Sequence, residues 1–259
     1  LSEEARATGK PENIIEKMLE SDDSTPEEDK KTVQEVTREH LQTSLFYKLF
    51  ASLKAQEKCD GITRTITLND QFRMHPTLGK FVGEHFYTPH GEPYASPLPG
   101  SLFTHGLTRY PNQCAAWLDV PHTLGGEDSG QSKARPVEAR QVAEELVRLL
   151  KDDPEEELSF GVITFYRKQV DEIKEACRHL GIHGELVRRG VLIGTVDAFQ
   201  GKEFDVVVLS MVRSRKLSTN QSLDERGRRR TFGHLMNSNR MCVAFSRQKK
   251  LLIIVGDSQ

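Results

Sequence analysis

LIGTVDAFQGKEFDVVVLS, residues 192–210, decides how the chain is read. It opens on an apolar strand and passes through a polar loop carrying Thr195, Asp197, Gln200, Gly201 and Glu203. It then re-enters a second apolar, β-branched strand. Continuous apolar runs of this kind are typical of central parallel strands, buried on both faces. SFGVITF (159–165), DVVVLSMV (205–212) and LLIIVG (251–256) repeat the pattern, with AAWLDV (115–120) as a further strand and TRTITL (63–68) β-rich. Helical periodicity fills the gaps. HPTLGKFVGEHFY (75–87) begins with Pro76 at a favoured first-turn position, and PVEARQVAEELVRLLK (136–151) sets Val142, Leu146, Leu149 and Leu150 on one face. YRKQVDEIKEACRHL (166–180) follows, and a helix containing NRMCVAFSRQKK (239–250) precedes the last strand. Strand–helix alternation predicts an α/β fold with a mainly parallel, doubly wound sheet.

The flanks read differently. PENIIEKMLE (11–20) has an amphipathic helical spacing, SDDSTPEEDKK (21–31) is a charged linker, and SLFYKLFASLKA (44–55) is a helix with Leu45, Leu49 and Leu53 on one stripe. The expected division is therefore a charged, partly helical extension over 1–43 and an α/β domain over 44–259. Segments 88–114 and 121–135 read as loops, and the single tryptophan, Trp117, as core.

The 259 residues carry a formal net charge of −2, so any polyanion site must be local, built from clustered Arg and Lys. Four widely spaced cysteines form no CxxC pair, which argues against a zinc site or disulfide framework. No histidine pattern of the HxH or HExxH type occurs, so no metal is assigned to protein ligands. The start, LSEEARATGK, resembles neither a signal peptide nor a membrane span and lacks an initiator Met, which suggests a chain boundary or a processed piece. The cytoplasm, or a nucleus, is the expected compartment.

Three segments hold polar residues where a core-building sequence would not. In LNDQFRMHP (68–76), Arg73 stands between Phe72 and Met74 at a strand-to-helix junction, a place that faces the ligand crevice in open α/β sheets. A merely solvated turn is the competing reading. In the loop after Thr195, Gly201 permits a tight backbone path while Gln200 and Glu203 offer an amide and a carboxylate; a loop capped by Asp197 and Glu203 is the bland alternative. In NRMCVAFSRQKKLLIIVGD (239–257), Arg240 and Arg247 are seven apart and would share a helix face, and Arg247, Lys249 and Lys250 would end that helix. A helix-terminal cap accounts for the lysines. Ser246-Arg247 interrupts an apolar approach to a buried strand, which favours a functional Arg247.

These segments, in this order, resemble the superfamily 1B helicases of the up-frameshift and senataxin type, a group with many bacterial members. QFRMHP resembles their motif IV, GTVDAFQGKEFDVVVLS motif V and VAFSRQKKLLIIVGD motif VI. ITFYRKQV (163–170) is similar to the family's TPYxxQ segment, and GHLMNSNR (233–240) to the lead into motif VI. The likeness runs over roughly 44–257. It implies a RecA-like three-layer sandwich, the second motor domain of an ATP-dependent helicase. By that resemblance Arg73 and Arg247 are arginine fingers for the γ-phosphate. Phe72, or a neighbour, packs on the adenine, Gln71 is among the ATP-binding residues, Glu203 binds the ribose, and Gln200 with Gly201 couples nucleotide to nucleic acid. Thr164, Arg167 and Thr195 would contact the backbone of single-stranded DNA or RNA. Departures are Phe165 for the usual proline, Cys242 where asparagine is common, and Gln248 in place of alanine.

The chain contains no G-x-x-x-x-G-K-[ST]; GGEDSGQS (125–132) lacks the lysine. No acidic Walker B pair is present either, so ATP and its Mg²⁺ imply ligands on a first RecA-like domain elsewhere in the polypeptide. ERGRRR (225–230), with Arg228, Arg229 and Arg230, reads as a basic loop that is either solvated or a phosphate-tracking patch. Two further classes stay open: a non-catalytic binding or scaffold module on a helicase fold, and the helicase half of a nuclease or repair factor. Intact Arg73, Glu203 and Arg247 count against the first, and no metal-spaced carboxylate pair supports the second.

Overall fold

A computed structural model describes residues 45–130, 132–214 and 225–258; the expected helix at 11–20 and the linker at 21–31 lie outside the described residues. The chain divides into two compact units between Thr67 and Leu68. In the first, helix α1 (Leu45–Asp60) leaves Leu45, Phe46 and Leu49 on its surface. TRTITL forms no strand: residues 61–69 are irregular, straddling the boundary, with Ile66 and Leu68 exposed. Alternating β-branched residues make a strand only where a ladder partner exists, and the described residues offer none here.

The second unit is built on five strands: β1 (Ala115–Asp119), β2 (Phe160–Thr164), β3 (Leu192–Thr195), β4 (Phe204–Ser210) and β5 (Gln248–Gly256). They lie in the order β1-β5-β4-β2-β3, and every pairing is parallel. The central strands are the apolar runs read from sequence, as burial on both faces requires. Alternation along β4 splits the core. Val206 and Val208 face one side, where helices α3 (Pro136–Asp152) and α4 (Arg167–His179) supply Val142, Leu146, Leu149, Val170 and Ile173. Val207 and Leu209 face the other, packed with Leu78 and Val82 of α2 (Pro76–Val82) and Ala244 of α7 (Ser238–Ala244). Helix, sheet and helix make a three-layer RecA-like α/β sandwich, with each fully buried aliphatic side chain contributing about 1.5–3 kcal/mol. Between α4 and α7 the chain adds α5 (His183–Arg188) and α6 (Glu225–Phe232).

Several expectations need correction. β3 is an edge strand, only partly buried. Trp117 lies on the opposite edge, β1, and is 45% exposed, with its indole N–H donating to the Gly256 carbonyl at 3.2 Å. The helix expected over 239–250 ends at Ala244. Gln248, fully buried, caps it by donating from Nε2 to the Phe245 carbonyl at 2.7 Å and already pairs with Phe204 in the sheet. Arg240 and Arg247 therefore do not share a helix, and Lys249 and Lys250 belong to β5. They meet Glu203 at 3.6 Å and Asp205 at 3.5 Å rather than a helix dipole. ERGRRR, read as loop, is most of helix α6.

Candidate nucleotide and nucleic-acid site

The motif IV turn is braced from within. Gln71 accepts the backbone N–H groups of Arg73 (3.0 Å) and Met74 (2.8 Å) on its Oε1. Its Nε2 donates to the Met74 carbonyl (2.9 Å) and the Ser96 hydroxyl (2.7 Å). His75 caps α2 by accepting the Thr77 N–H at 3.2 Å, and its own N–H donates to Lys249 O at 2.8 Å, tying the turn to the start of β5. With the backbone held at both ends, the Arg73 side chain reaches across to motif V. Its Nε donates to Glu203 Oε2 at 3.0 Å and its Nη1 to the Ser246 carbonyl at 2.9 Å. Phe72, beside it, is 62% exposed.

Motif V arrives from the sheet. After β3 the chain makes one 3₁₀ turn, Val196–Phe199, anchored by fully buried Phe199 against Phe204 with ring centres 5.4 Å apart. Gly201, at φ +77, takes a left-handed conformation that costs a side-chain-bearing residue about 1 kcal/mol or more. That turn exposes Gln200, Lys202 and Glu203 in succession. Arg247, directly before β5, donates to Val243 O (3.1 Å), Lys202 O (3.5 Å) and the Ser246 hydroxyl (2.9 Å). Among the described residues no carboxylate comes within ion-pair distance of it.

The electrostatics separate the two arginines. The Arg73 guanidinium beside Glu203, helped by Lys249, holds that carboxyl below the usual range. Burial, and then repulsion from Arg73, pulls Arg247 down from the ordinary arginine value. Two guanidinium groups near enough to repel each other, with one half-exposed carboxylate paired to the first, carry surplus positive charge of a kind that an anion could neutralise.

Its wall was not read from the sequence. Tyr87 ends a π-helical turn, Gly83–Tyr87, and stacks on Tyr94 at 4.6 Å. Burial raises both phenols, Tyr94 to about 12. Residues 88–114 look like plain loop, and only the tyrosines, aromatic in a polar stretch, could have pointed here.

A second cluster lies where motif V meets the approach to motif VI. Arg240 donates to Asp197 (3.1 Å) and to His234 Nδ1 (3.2 Å). Since arginine only donates, His234 Nδ1 accepts and the ring is neutral. Burial and the Arg240 charge hold its pKa below the ordinary value. The Asp197 carboxylate thus serves Arg240 and not the loop cap of the bland alternative.

The structure brings Arg73, Glu203 and Arg247 together, with Gln200 and Gly201 in the same turn. Gln71 is not available to an adenine, because its amide is spent on the motif IV backbone. Thr164 is fully buried at the end of β2 with its hydroxyl unpartnered, which withdraws it from a phosphate contact in this conformation. Thr195 is half-buried, Arg167 is exposed in the first turn of α4, and Arg228, Arg229 and Arg230 are exposed on α6. Residues that sequence reasoning missed are Tyr87, Tyr94, Glu127 and Arg213, the last pair being a nearly buried ion pair at 3.2 Å.

A parallel RecA-like sandwich with these three motifs at adjacent junctions defines a helicase-type domain. The family model described as an AAA domain matches residues 41–259, and the chain belongs to that family, as the C-terminal domain of a superfamily 1B helicase. It is 33% identical over 205 residues to a regulator of nonsense transcripts 1 homolog of Neurospora crassa, covering 74% of this chain and 16% of that protein. It is 29% identical over 231 residues to the putative helicase mov-10-B.2 of Danio rerio, covering 76% and 22%. Against the RNA helicase Mov10l1 of Mus musculus the figure is 34% over 183 residues, covering 62% and 14%. The chain thus spans less than a quarter of each of these relatives. No helix among the described residues is long and apolar enough to cross a membrane.

Proposed function

We propose that this domain is the second half of an ATP-driven motor on single-stranded DNA or RNA. Its role is to supply Arg73 and Arg247 to the triphosphate of an ATP held at the interface with a first, Walker A-bearing RecA-like domain. The observation that carries the reading is Arg247: a partly exposed guanidinium, already repelled by Arg73, with no carboxylate within ion-pair distance among the described residues. A structural arginine would be neutralised. This one is kept short of anions.

The cluster fits a triphosphate in charge and in cost. The Arg73–Glu203 pair has side chains 33% and 48% exposed, so it is worth at most about 1 kcal/mol and is easily exchanged. Arg73 can then turn to phosphate oxygens while Glu203 accepts ribose hydroxyls, and Phe72, already exposed, offers its ring to the base. Phosphoryl transfer depends on positioning and charge rather than covalent help, and an arginine in this role is worth on the order of 10³–10⁵ in rate. Mg²⁺, bound by the first domain, would add charge neutralisation there. Asp197–Arg240–His234 links motif V to motif VI, so a shift at Gln200 and Gly201 is felt beside Thr195. Arg167 and the arginines of α6 contact the strand's phosphates, which gives position without sequence readout.

The test is turnover by the full-length protein, with and without single-stranded DNA and RNA, beside this chain alone. The full-length protein hydrolyses ATP faster with one of the polymers, and this chain, with fingers but no Walker A lysine, is inert. Robust turnover by this chain, or a full-length protein indifferent to both polymers, would overturn the reading.

A further inference from the structure

Helix α6 (Glu225–Phe232) is short. Eight residues are fewer than the roughly 12–15 an isolated helix needs in water. Gly227 in its interior costs about 1 kcal/mol relative to alanine. Arg228, Arg229 and Arg230 are exposed, and Thr231 is the buried residue of its last turn. Its final carbonyls also lack intrahelical partners.

Arg213 reaches the end of this helix. Its Nε donates to the Thr231 carbonyl at 2.7 Å and its Nη2 to the Arg230 carbonyl, so one guanidinium caps the C-terminal end of α6. The side chain is only 6% exposed, and Glu127, 9% exposed, stands 3.2 Å from Nε as its counter-charge. Glu127 is fixed in turn, since its N–H donates to the Ser214 hydroxyl at 3.1 Å and its Oε2 accepts the Ser214 N–H at 3.3 Å.

The aim of Arg213 is built into the exit of β4. Its N–H donates to Met211 O at 2.8 Å, closing a tight turn around Val212 at φ +69, a conformation that costs a β-branched residue on the order of 1–3 kcal/mol. The turn is held by the Val212 N–H on Glu138 Oε1 (2.9 Å) and the Met211 N–H on Val255 O (3.0 Å). Beyond the cap, Gly233 sits at φ +54, where an added Cβ would lie 2.5 Å from the Tyr166 hydroxyl, so the chain leaves α6 along one path.

We propose that Arg213, locked by Glu127, is the positioning residue that presents the arginines of α6 to the single strand. It rests on the reading of α6 as a phosphate-contacting helix. Arg213 itself touches no strand; it acts through Arg228, Arg229 and Arg230. Motif V and the arginine helix are thereby joined by one side chain, and the loop bearing Glu127 becomes part of the nucleic-acid machinery.

The experiment is binding of a fluorescent single-stranded oligonucleotide to the full-length protein over a salt series. The triple variant Arg228→Ala/Arg229→Ala/Arg230→Ala weakens binding about tenfold or more and flattens the salt slope by roughly 0.7 for each phosphate no longer neutralised, about 2 in all. Arg213→Ala gives a similar loss and flattening, and adds nothing in the triple background. Arg213→Lys does not rescue, because a compact ammonium lacks the planar fork whose Nε and Nη2 reach the two carbonyls side by side. Wild-type binding by the triple variant would remove the reading of α6 beneath the proposal. A triple-variant loss with normal binding by Arg213→Ala, additive losses, or rescue by lysine would overturn the positioning role alone. If Arg213→Ala does not fold, Glu127→Gln is put through the same comparison, and normal or additive binding there overturns the proposal equally.

Discussion

Arg135 and Arg247 each stand directly before a regular element, α3 in one case and β5 in the other, and their surroundings are opposite. Arg135 is fully buried. It donates to Gly125 O at 2.7 Å, Pro121 O at 2.8 Å and Glu138 at 3.4 Å. Glu138, also fully buried, accepts the Ser210 hydroxyl at 2.6 Å and the Val212 N–H at 2.9 Å, and Gln169 bridges the Arg135 N–H (2.8 Å) to Ser210 (3.0 Å). Burial still pushes the Glu138 carboxyl up, against the pull of these partners. Arg247 has carbonyls and one hydroxyl, partial exposure and a second guanidinium nearby. A closed network of satisfied charges holds loops to a sheet. An open one with surplus positive charge is what the proposed triphosphate site needs.

The contrast can be broken in order of expected effect. Glu138→Ala leaves the Arg135 charge buried and unpaired, a loss of about 3–5 kcal/mol in urea unfolding. A loss below about 1 kcal/mol would mean the closed network is no such thing. Glu203→Gln, in the open cluster, changes unfolding by no more than about 1 kcal/mol, because the pair it breaks is solvated. A cost as large as that of Glu138→Ala would make the Arg73–Glu203 pair structural and sink the exchange drawn above.

The smallest effect is one of pH. His234 is neutral in the fold, with a pKa below its ordinary 6.5. Between that lowered value and 6.5 the unfolded chain binds more protons than the folded one. The contribution of His234 is therefore fully present above 6.5 and is lost as pH falls through its folded pKa. Glu203, lowered from 4.5, loses its own contribution further down, as pH falls through its folded pKa. His234→Gln, which can still accept from Arg240, flattens the upper of these two losses in the pH dependence of the urea midpoint. An unchanged profile would show that the ring is not neutral in the fold.

The sheet was legible because burial on both faces leaves a plain mark. Apolar, β-branched runs at 159–165, 191–196, 205–212 and 251–256 became β2, β3, β4 and β5. The arginine cluster was legible for a different reason: Arg73 stands between Phe72 and Met74 just before a helix, and Arg247 interrupts an apolar approach to β5. What stayed hidden depends on tertiary partners. The end of α7 at Ala244 is set by Gln248, whose amide caps the helix only once β5 has paired with β4. TRTITL has the composition of a strand and no ladder. Gln71 and Thr164 sit in the right motifs, yet one is hydrogen-bonded within its own turn and the other is fully buried at the end of the interior strand β2. Arg213 and Glu127 are 86 residues apart (213 − 127), and no local pattern relates them.

The most direct measurement is steady-state ATP hydrolysis by the full-length protein carrying Arg73→Ala, Arg247→Ala or both, each read beside its urea unfolding. If the open cluster is an arginine-finger pair, either change lowers kcat on the order of 10³-fold or more while unfolding moves by no more than about 1 kcal/mol. A kcat that stays near wild type, or that falls only as far as stability does, would contradict the account.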